Sequence, residues 1–414
     1  MTVGKIAFVL ETTFSSLKYK NFRYFWFGQC ISLMGTWMQR TAQVWLVYTI
    51  TKSPFLVGLL GVCQFTPMLL FTLFAGVFVD RFPKRKILLL TQFLFMLQAV
   101  VLTLLTYSGV IRYWHILVLS AFFGLTQTLD MPARQSFFIE LVGKADVMNG
   151  ISLNSTVVNL AKIIGPAAAG IVMLKYGIVF CFLLNALSYL AVLTGLFLMK
   201  TNDTVPKRIR RNAVQEIAEG LKYIWSNETM SVNVLIMAVV CTFAMNNDVI
   251  IPVFTKSVLE MGADAYTSLM TAIGVGAFTA AIVMAATAKT GIKRRILLIS
   301  GTATASIQII MFFVRNHFAA LVLTAAVGFC NLAFINRGNS IFQIYSSDEY
   351  RGRVMSVYSF LNQGSTPVGN FFAGTVMEHL GGRSGFPACG AATLICLIPV
   401  LFLKRKAIRG WLKS

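Results

Sequence analysis

The sequence predicts an all-α integral membrane protein, with twelve transmembrane helices in two six-helix bundles related by a pseudo-twofold axis. Three observations carry this. Hydrophobic residues make up 57% of the 414 residues and charged residues 12%, with a mean hydropathy of +0.72, far from the balance of soluble domains. Twelve apolar stretches are long enough to cross a ~30 Å hydrocarbon core, which takes about 20 helical residues. Finally, Ser136 to Gly177 recur without gaps as Ser340 to Gly381, with ten of the 42 positions identical, where ordinary residue usage gives roughly three. Internal repeats in apolar chains are the mark of proteins whose halves rock about a shared central site.

The stretches run 22–49, 55–79, 87–107, 114–129, 148–176 and 179–199, then 232–254, 266–288, 296–314, 318–342, 354–377 and 386–403. This gives an N-terminal bundle at 1–199, a linker at 200–230 and a C-terminal bundle at 231–414. The first 21 residues mix Lys5, Glu11, Lys18 and Lys20 with short apolar runs, unlike a cleavable signal, so the first span is expected to direct insertion. The linker opens with Asn202, Asp203, Pro206, Lys207, Arg208, Arg210 and Arg211, and then spaces Val214, Ile217, Leu221 and Ile224 by threes and fours. That spacing suits a helix on the membrane surface; a solvated connector is the alternative. Pro67, Pro166, Pro252, Pro367 and Pro399 fall inside spans, where neighbouring helices must satisfy the freed carbonyls.

The net charge is +21. Nucleic-acid binders gather their bases on one face, whereas here Lys and Arg are dealt to alternate loops, 28 of the 36 on the side shared with both termini. A nucleic-acid partner is therefore excluded, and both termini are expected in the cytoplasm, with the chain in the plasma membrane. Seven cysteines are scattered singly, which indicates neither a disulfide framework nor a zinc site. No metal or cofactor is expected.

After the second span the chain reads Gly76-Val-Phe-Val-Asp80-Arg81-Phe-Pro-Lys84-Arg85-Lys86, a short loop holding one acid among four bases. Topology alone explains the bases but not Asp80. An anion there would be stabilised by the N-terminus of the eleventh helix near Gly352 and Arg353, and Arg81 and Lys84 are within expected reach of Asp130. These contacts would form a cytoplasmic latch. The loop resembles the signature G-x-x-x-D-R-x-x-[RK]-[RK]-[RK] of the major facilitator superfamily. Gly35-Thr-Trp37-Met-Gln39 with Trp45, Asp130-Met-Pro132-Ala-Arg134-Gln135, and Asn159-Leu-Ala-Lys162-Ile-Ile-Gly165-Pro166 are similar to its enterobactin-exporter-like and macrolide-efflux-like branch. The resemblance implies two six-helix bundles around a central cavity, alternating access, and efflux of drugs or siderophores driven by proton entry. Ser152, Ala161, Gly165, Pro166, Ala169 and Gly170 resemble the superfamily's fifth-helix antiporter motif with glycines replaced by other small residues, which keeps the close packing.

Polar stripes supply a candidate cavity wall. In the first span Gln29, Ser32, Thr36, Arg40 and Gln43, with Gln39 beside them, recur at helical spacing. Ser152, Ser155, Asn159 and Lys162 do so in the fifth, and the repeat places Ser356, Ser359, Gln363 and Thr366 in the eleventh. Arg40 lies about 15 Å from one end of its span and Lys162 about 20 Å from one end of its own. A charge facing lipid at that depth costs roughly 2.5 to 3.5 kcal/mol, so both must face water, a partner or cargo. Asp248, the acid expected well inside a span, is matched to Arg40 as an outer gate that protonation loosens. Lys162 would then make the cavity electropositive. The first span carries no Asp or Glu, so the coupling acid of many drug antiporters is missing. His115, His317 and His379 sit at interfacial positions.

The chain lacks G-x-S-x-G, H-E-x-x-H and G-x-x-x-x-G-K-[ST], so no enzyme is expected. The reading is a monomeric secondary transporter that moves a small amphipathic or anionic molecule across the lipid bilayer, by efflux coupled to protons. An importer or lipid flippase of the same fold, or a receptor that has lost turnover, remains open.

Overall fold

The computed structural model describes residues 15–79, 81–199, 213–286, 293–347 and 349–413. A 3-10 turn, Ser15–Lys18, leads into α1 (Lys20–Thr51), α2 (Pro54–Val79), α3 (Lys84–Tyr107), α4 (Tyr113–Tyr176) and α5 (Ile178–Leu198). Then follow α6 (Ala213–Ser226), α7 (Glu228–Phe243), α8 (Asn247–Ser257), α9 (Ala263–Ala286), α10 (Arg295–Ile310) and α11 (His317–Tyr345). The last helices are α12 (Arg351–Ser359), α13 (Thr366–Leu380), α14 (Gly385–Leu403) and α15 (Arg405–Lys413).

Ten helical stretches among the described residues are long and apolar enough to span a membrane. The other two expected spans differ for physical reasons. The polar residues of α1 dilute its hydropathy although it runs 32 residues. The eleventh is divided into α12, a π turn at Phe360–Gly364, and α13. The fourth and fifth spans form one 64-residue helix, α4, broken at Gly143 by φ 68° and ψ 176°, backbone angles that favour glycine. The seventh expected span is also broken, into α7 and α8, because Asn246 turns its Nδ2 back onto the carbonyls of Thr242 and Phe243. Large apolar side chains lie exposed along these helices, among them Leu174, Phe197, Phe402 and Leu403, as required where the solvent is acyl chain.

The chain forms two compact units, one of residues 1–42 and 70–208, the other of 43–69 and 209–414. In the first, Phe22 and Phe25 of α1 pack with Phe137 and Phe138 of α4 and with Leu88, Val192 and Leu196. Phe25 meets Phe137 and Phe138 edge-on at 5.5 and 5.3 Å between ring centroids. Helix α1 approaches α5 backbone to backbone at Gly28, where a Cβ would lie 2.9 Å from the Ala191 carbonyl oxygen.

In the second unit, Met237 and Val240 of α7 form a core with Phe334, Ile341 and Phe342 of α11. Ile224 of α6 and Ile408 and Trp411 of α15 join it. Ile224 of the linker helix and Ile408 and Trp411 of α15 are thus buried in protein, whereas Leu221 and Trp225 of the linker helix are exposed. Helix α6 is further fixed by an Arg353–Glu219 ion pair of 2.7 Å and by stacking of Tyr223 on Tyr350 at 4.4 Å. Residues 200–212 of the expected linker lie outside the described residues.

Candidate functional site

The central feature of the first unit is Trp37 of α1. The Arg40 guanidinium lies 5.0 Å from its ring centroid and the Lys162 ammonium of α4 lies 5.7 Å from it. Both cations therefore meet one indole, no more than about 11 Å apart, within the range where the ring quadrupole attracts a cation. Gly165 makes the arrangement fit: one helical turn beyond Lys162, its missing Cβ would sit 2.5 Å from the Trp37 Cβ. The spacing Lys162, Gly165, Pro166 seats the amine and the close helix contact on one face. Ala161 and Ala169 are fully buried beside it, Pro166 and Gly170 are buried, and Ser152 is exposed. Asn159 is half-buried one turn before Lys162.

The rest of the α1 stripe is distributed differently from expectation. Gln39 is 3% exposed; its Nε2 donates to Gln98 Oε1 at 3.0 Å and its Oε1 accepts from Asn185 Nδ2 at 2.8 Å. It belongs to a buried amide relay linking α1, α3 and α5. Thr36 shares a 3.1 Å hydrogen bond with the Tyr189 hydroxyl, and Gln29 and Gln43 are buried. The reason is the α1–α5 contact: Gly28 and Gly35 define the face pressed against α5, and Thr36 and Gln39 lie next to it. Arg40 and Trp37 lie further round the helix, towards α4.

The loop motif also resolves into separate roles. Asp80 lies outside the described residues, as does the environment of Gly76. Asp130 is 5% exposed and is bound by Arg134, through Nε at 2.9 Å and Nη2 at 2.5 Å, and by Thr91 and Gln92 at 2.8 Å each. Lys84 instead pairs with Glu140 at 3.6 Å. The expected reach of Arg81 and Lys84 onto Asp130 is therefore corrected: Arg134, one turn away on the same helix, is its partner. Arg85 donates to the Leu196 and Phe197 carbonyls at 2.8 and 3.1 Å, closing the C-terminus of α5, where a cation is favoured. Arg81 and Lys86 are exposed.

In the second unit, Asp248 stands in the first turn of α8, directly after the helix break, and Gln363 lies in the π turn. Two features had no sequence signal strong enough to find them. Arg337, inside the expected span 318–342, lies eight residues inside the end of α11 on its buried face; it is 7% exposed and its Nε has no hydrogen-bond partner among the described residues. Glu378 of α13 accepts hydrogen bonds at its Oε2 from Ser53 Oγ at 2.7 Å and the Phe55 amide at 3.1 Å.

A third cluster ties down the N-terminal turn. Asp146 accepts from Tyr19 and Ser15 at 2.8 and 2.9 Å and pairs with Lys18 at 2.6 Å. The Lys18 hydrogen bond, followed by those of Tyr19 and Ser15, holds the Asp146 carboxyl down at about 2. The same bond raises the Lys18 amine.

Comparison with known proteins agrees with this architecture. The chain is 24% identical over 389 residues to a staphyloferrin A transporter of Staphylococcus aureus, covering 93% of this chain and 96% of that one. It is 22% identical over 370 residues to the multidrug efflux pump Tap of Mycolicibacterium fortuitum, covering 87% and 90%. Its fold matches the crystal structure of a bacterial homolog of the human lysosomal transporter Spinster with a TM-score of 0.69 at 13% identity, over 95% of this chain and 98% of that one. The profile of the transmembrane secretion effector family matches residues 11–410, and the chain therefore belongs to this family of major facilitator superfamily membrane transporters.

Proposed function

We propose that the protein is a secondary active exporter of a small anionic or amphipathic molecule, working by alternating access in the plasma membrane with both termini cytoplasmic. The observation that carries the substrate class is the pair of cations at Trp37. An indole flanked by a guanidinium and an ammonium offers a flat apolar surface beside two positive groups, which suits a ligand carrying carboxylates on an aromatic or aliphatic frame. The relatives support transport of small molecules, since one is a staphyloferrin A transporter, and the second, a multidrug efflux pump, supports export.

The remaining elements follow from the sequence. Twelve helices in two bundles give the cavity, and Arg40 with Asp248 form an outer gate that protonation of Asp248 loosens, coupling export to proton entry. The loop motif of Gly76, Asp80, Arg81, Lys84, Arg85 and Lys86 latches the cytoplasmic side.

The test is transport in proteoliposomes with imposed pH and voltage gradients, over a panel of carboxylate siderophores and of neutral and cationic drugs. Preferential transport of the anions, lost in Lys162→Ala, is expected. Equal transport of all charge classes by both proteins would remove the substrate assignment, and equal pH dependence in Asp248→Asn and wild type would remove the proposed coupling.

A further inference from the structure

We propose that Glu378 is a releasable latch that holds the Pro54 end of α2 against α13 in one state of the transport cycle. Helices α2 and α13 meet through small residues: a Cβ at Gly58 would lie 2.5 Å from the Asn370 carbonyl oxygen, and one at Gly374 would lie 2.9 Å from the Pro54 carbonyl oxygen. Phe55 and Phe371 add an edge contact at 5.6 Å. Asn370, Gly374 and Glu378 recur every four residues, so one face of α13 carries the close contact and, one turn further, the carboxylate.

That carboxylate takes two donors from the start of α2. Ser53 Oγ donates to it at 2.7 Å while itself accepting from the Leu56 amide at 3.2 Å, and the Phe55 amide donates at 3.1 Å. The first turn of a helix has amides with no partner within the helix and a partial positive charge. Glu378 thus completes the cap of α2 from a helix 325 positions away in the chain.

The chemistry suits a contact that breaks and reforms. Both bonds fall on one exposed oxygen, so water replaces the lost donors when the helices part. No such exchange is open to the buried Asp130. The close contacts around it involve glycines and backbone, which slide without leaving a charge unpaired. The repeat has Leu174 where Glu378 stands, so the device belongs to one copy only.

The purpose assigned to the latch rests on the transport reading, but its test needs no substrate, so the two fail separately. In full-length protein in nanodiscs, amide exchange is measured over residues 52–58, together with the distance between spin labels introduced through non-natural residues at Lys52 and Leu380. Glu378→Ala is expected to speed exchange at Phe55 about fivefold, the equivalent of one lost helix cap, and to shift the label distances to longer values. Glu378→Gln keeps an acceptor oxygen and is expected to behave as wild type. Unchanged exchange and distances in the alanine variant overturn the proposal. Equal loosening in both variants overturns it as well, because packing of α13 and not the acceptor would then hold the contact.

Discussion

The two copies of the repeat share their frame and divide their chemistry. Gly177 and Gly381 end α4 and α13 with nearly the same backbone, φ 90° and ψ 167° against φ 83° and ψ 158°. Gly165 and Gly369 both allow a close approach, one to Trp37 and the other to the Thr242 carbonyl. Between these fixed points the copies part. The first has Lys162 beside an indole in the helical stretch after the break at Gly143, whereas the second has Thr366 at that position and a π turn just before it. Extending the register backwards, the ion pair Asp130–Arg134 of the first copy corresponds to Phe334 and Gly338 of the second, both buried. The first copy holds a buried ion pair and an amine on its helix. The second buries Phe334 and Gly338 in place of that pair, with the buried Arg337 between them in the chain, and has an interrupted helix and an exposed acid at its end.

The sharpest way to test this division is at the buried ion pair. Asp130→Asn keeps the side-chain volume but strands the Arg134 guanidinium, and is expected to cost about 3–5 kcal/mol of stability. Phe334→Leu, at the matching position, is expected to cost less than about 1.5 kcal/mol. Thermal and denaturant unfolding in detergent would compare them, and equal losses would break the contrast.

Substrate recognition comes next. Lys162→Ala is expected to weaken binding of a carboxylate ligand about ten- to a hundredfold, the range of a hydrogen bond to a charged group, and Thr366→Ala by less than about threefold; binding calorimetry on the purified protein would decide. The shared frame makes the opposite prediction. Gly369→Ala would bring a Cβ to 1.9 Å from the Thr242 oxygen and Gly165→Ala one to 2.5 Å from the Trp37 Cβ. Both are expected to lose about 1–3 kcal/mol by overpacking, with Gly369 the larger, on the same unfolding assay.

The smallest effect concerns pH. Asp146 is depressed to about 2, so its contribution is complete above the ordinary carboxylate range, roughly 4, and is lost only as pH falls through 2. Lys18 is raised, so its share is complete below the ordinary lysine range of about 10.4 and is lost as pH rises through its folded value. Amide protection at Ser16, corrected for intrinsic exchange, is therefore expected to stay flat between about pH 5 and 9 and to fall in Asp146→Asn at every pH in that window.

Much of the fold was legible because a membrane protein writes it in long apolar runs and, here, twice over. The repeat also marked the paired glycines Gly165 and Gly369, both of which stand at close contacts. What escaped depends on which way a helix is turned, or on contacts between distant segments. Gln39 has the same helical spacing as a cavity residue, and only the approach of α1 to α5 at Gly28 and Gly35 turns it into the protein. The break at Asn246 arises from a side chain that competes with the helix for its own carbonyls, a contest that residue type alone does not settle. Arg337 falls within the apolar run 318–342 with no local cue to the way it faces, and its burial is set by neighbouring helices. Glu378 gave no local cue, since its partners are encoded at the other end of the chain.

The burial of Trp411 among residues of the second unit, with 1% of its surface exposed, has a consequence for how the protein is made. The core that contains Met230 and Val232 stays open until residue 411 has emerged from the ribosome, so this unit completes its packing only when α15 docks. Shortening the chain after Leu403 would remove no membrane-spanning helix, yet it would leave that core unsealed in a product that is inserted but prone to degradation.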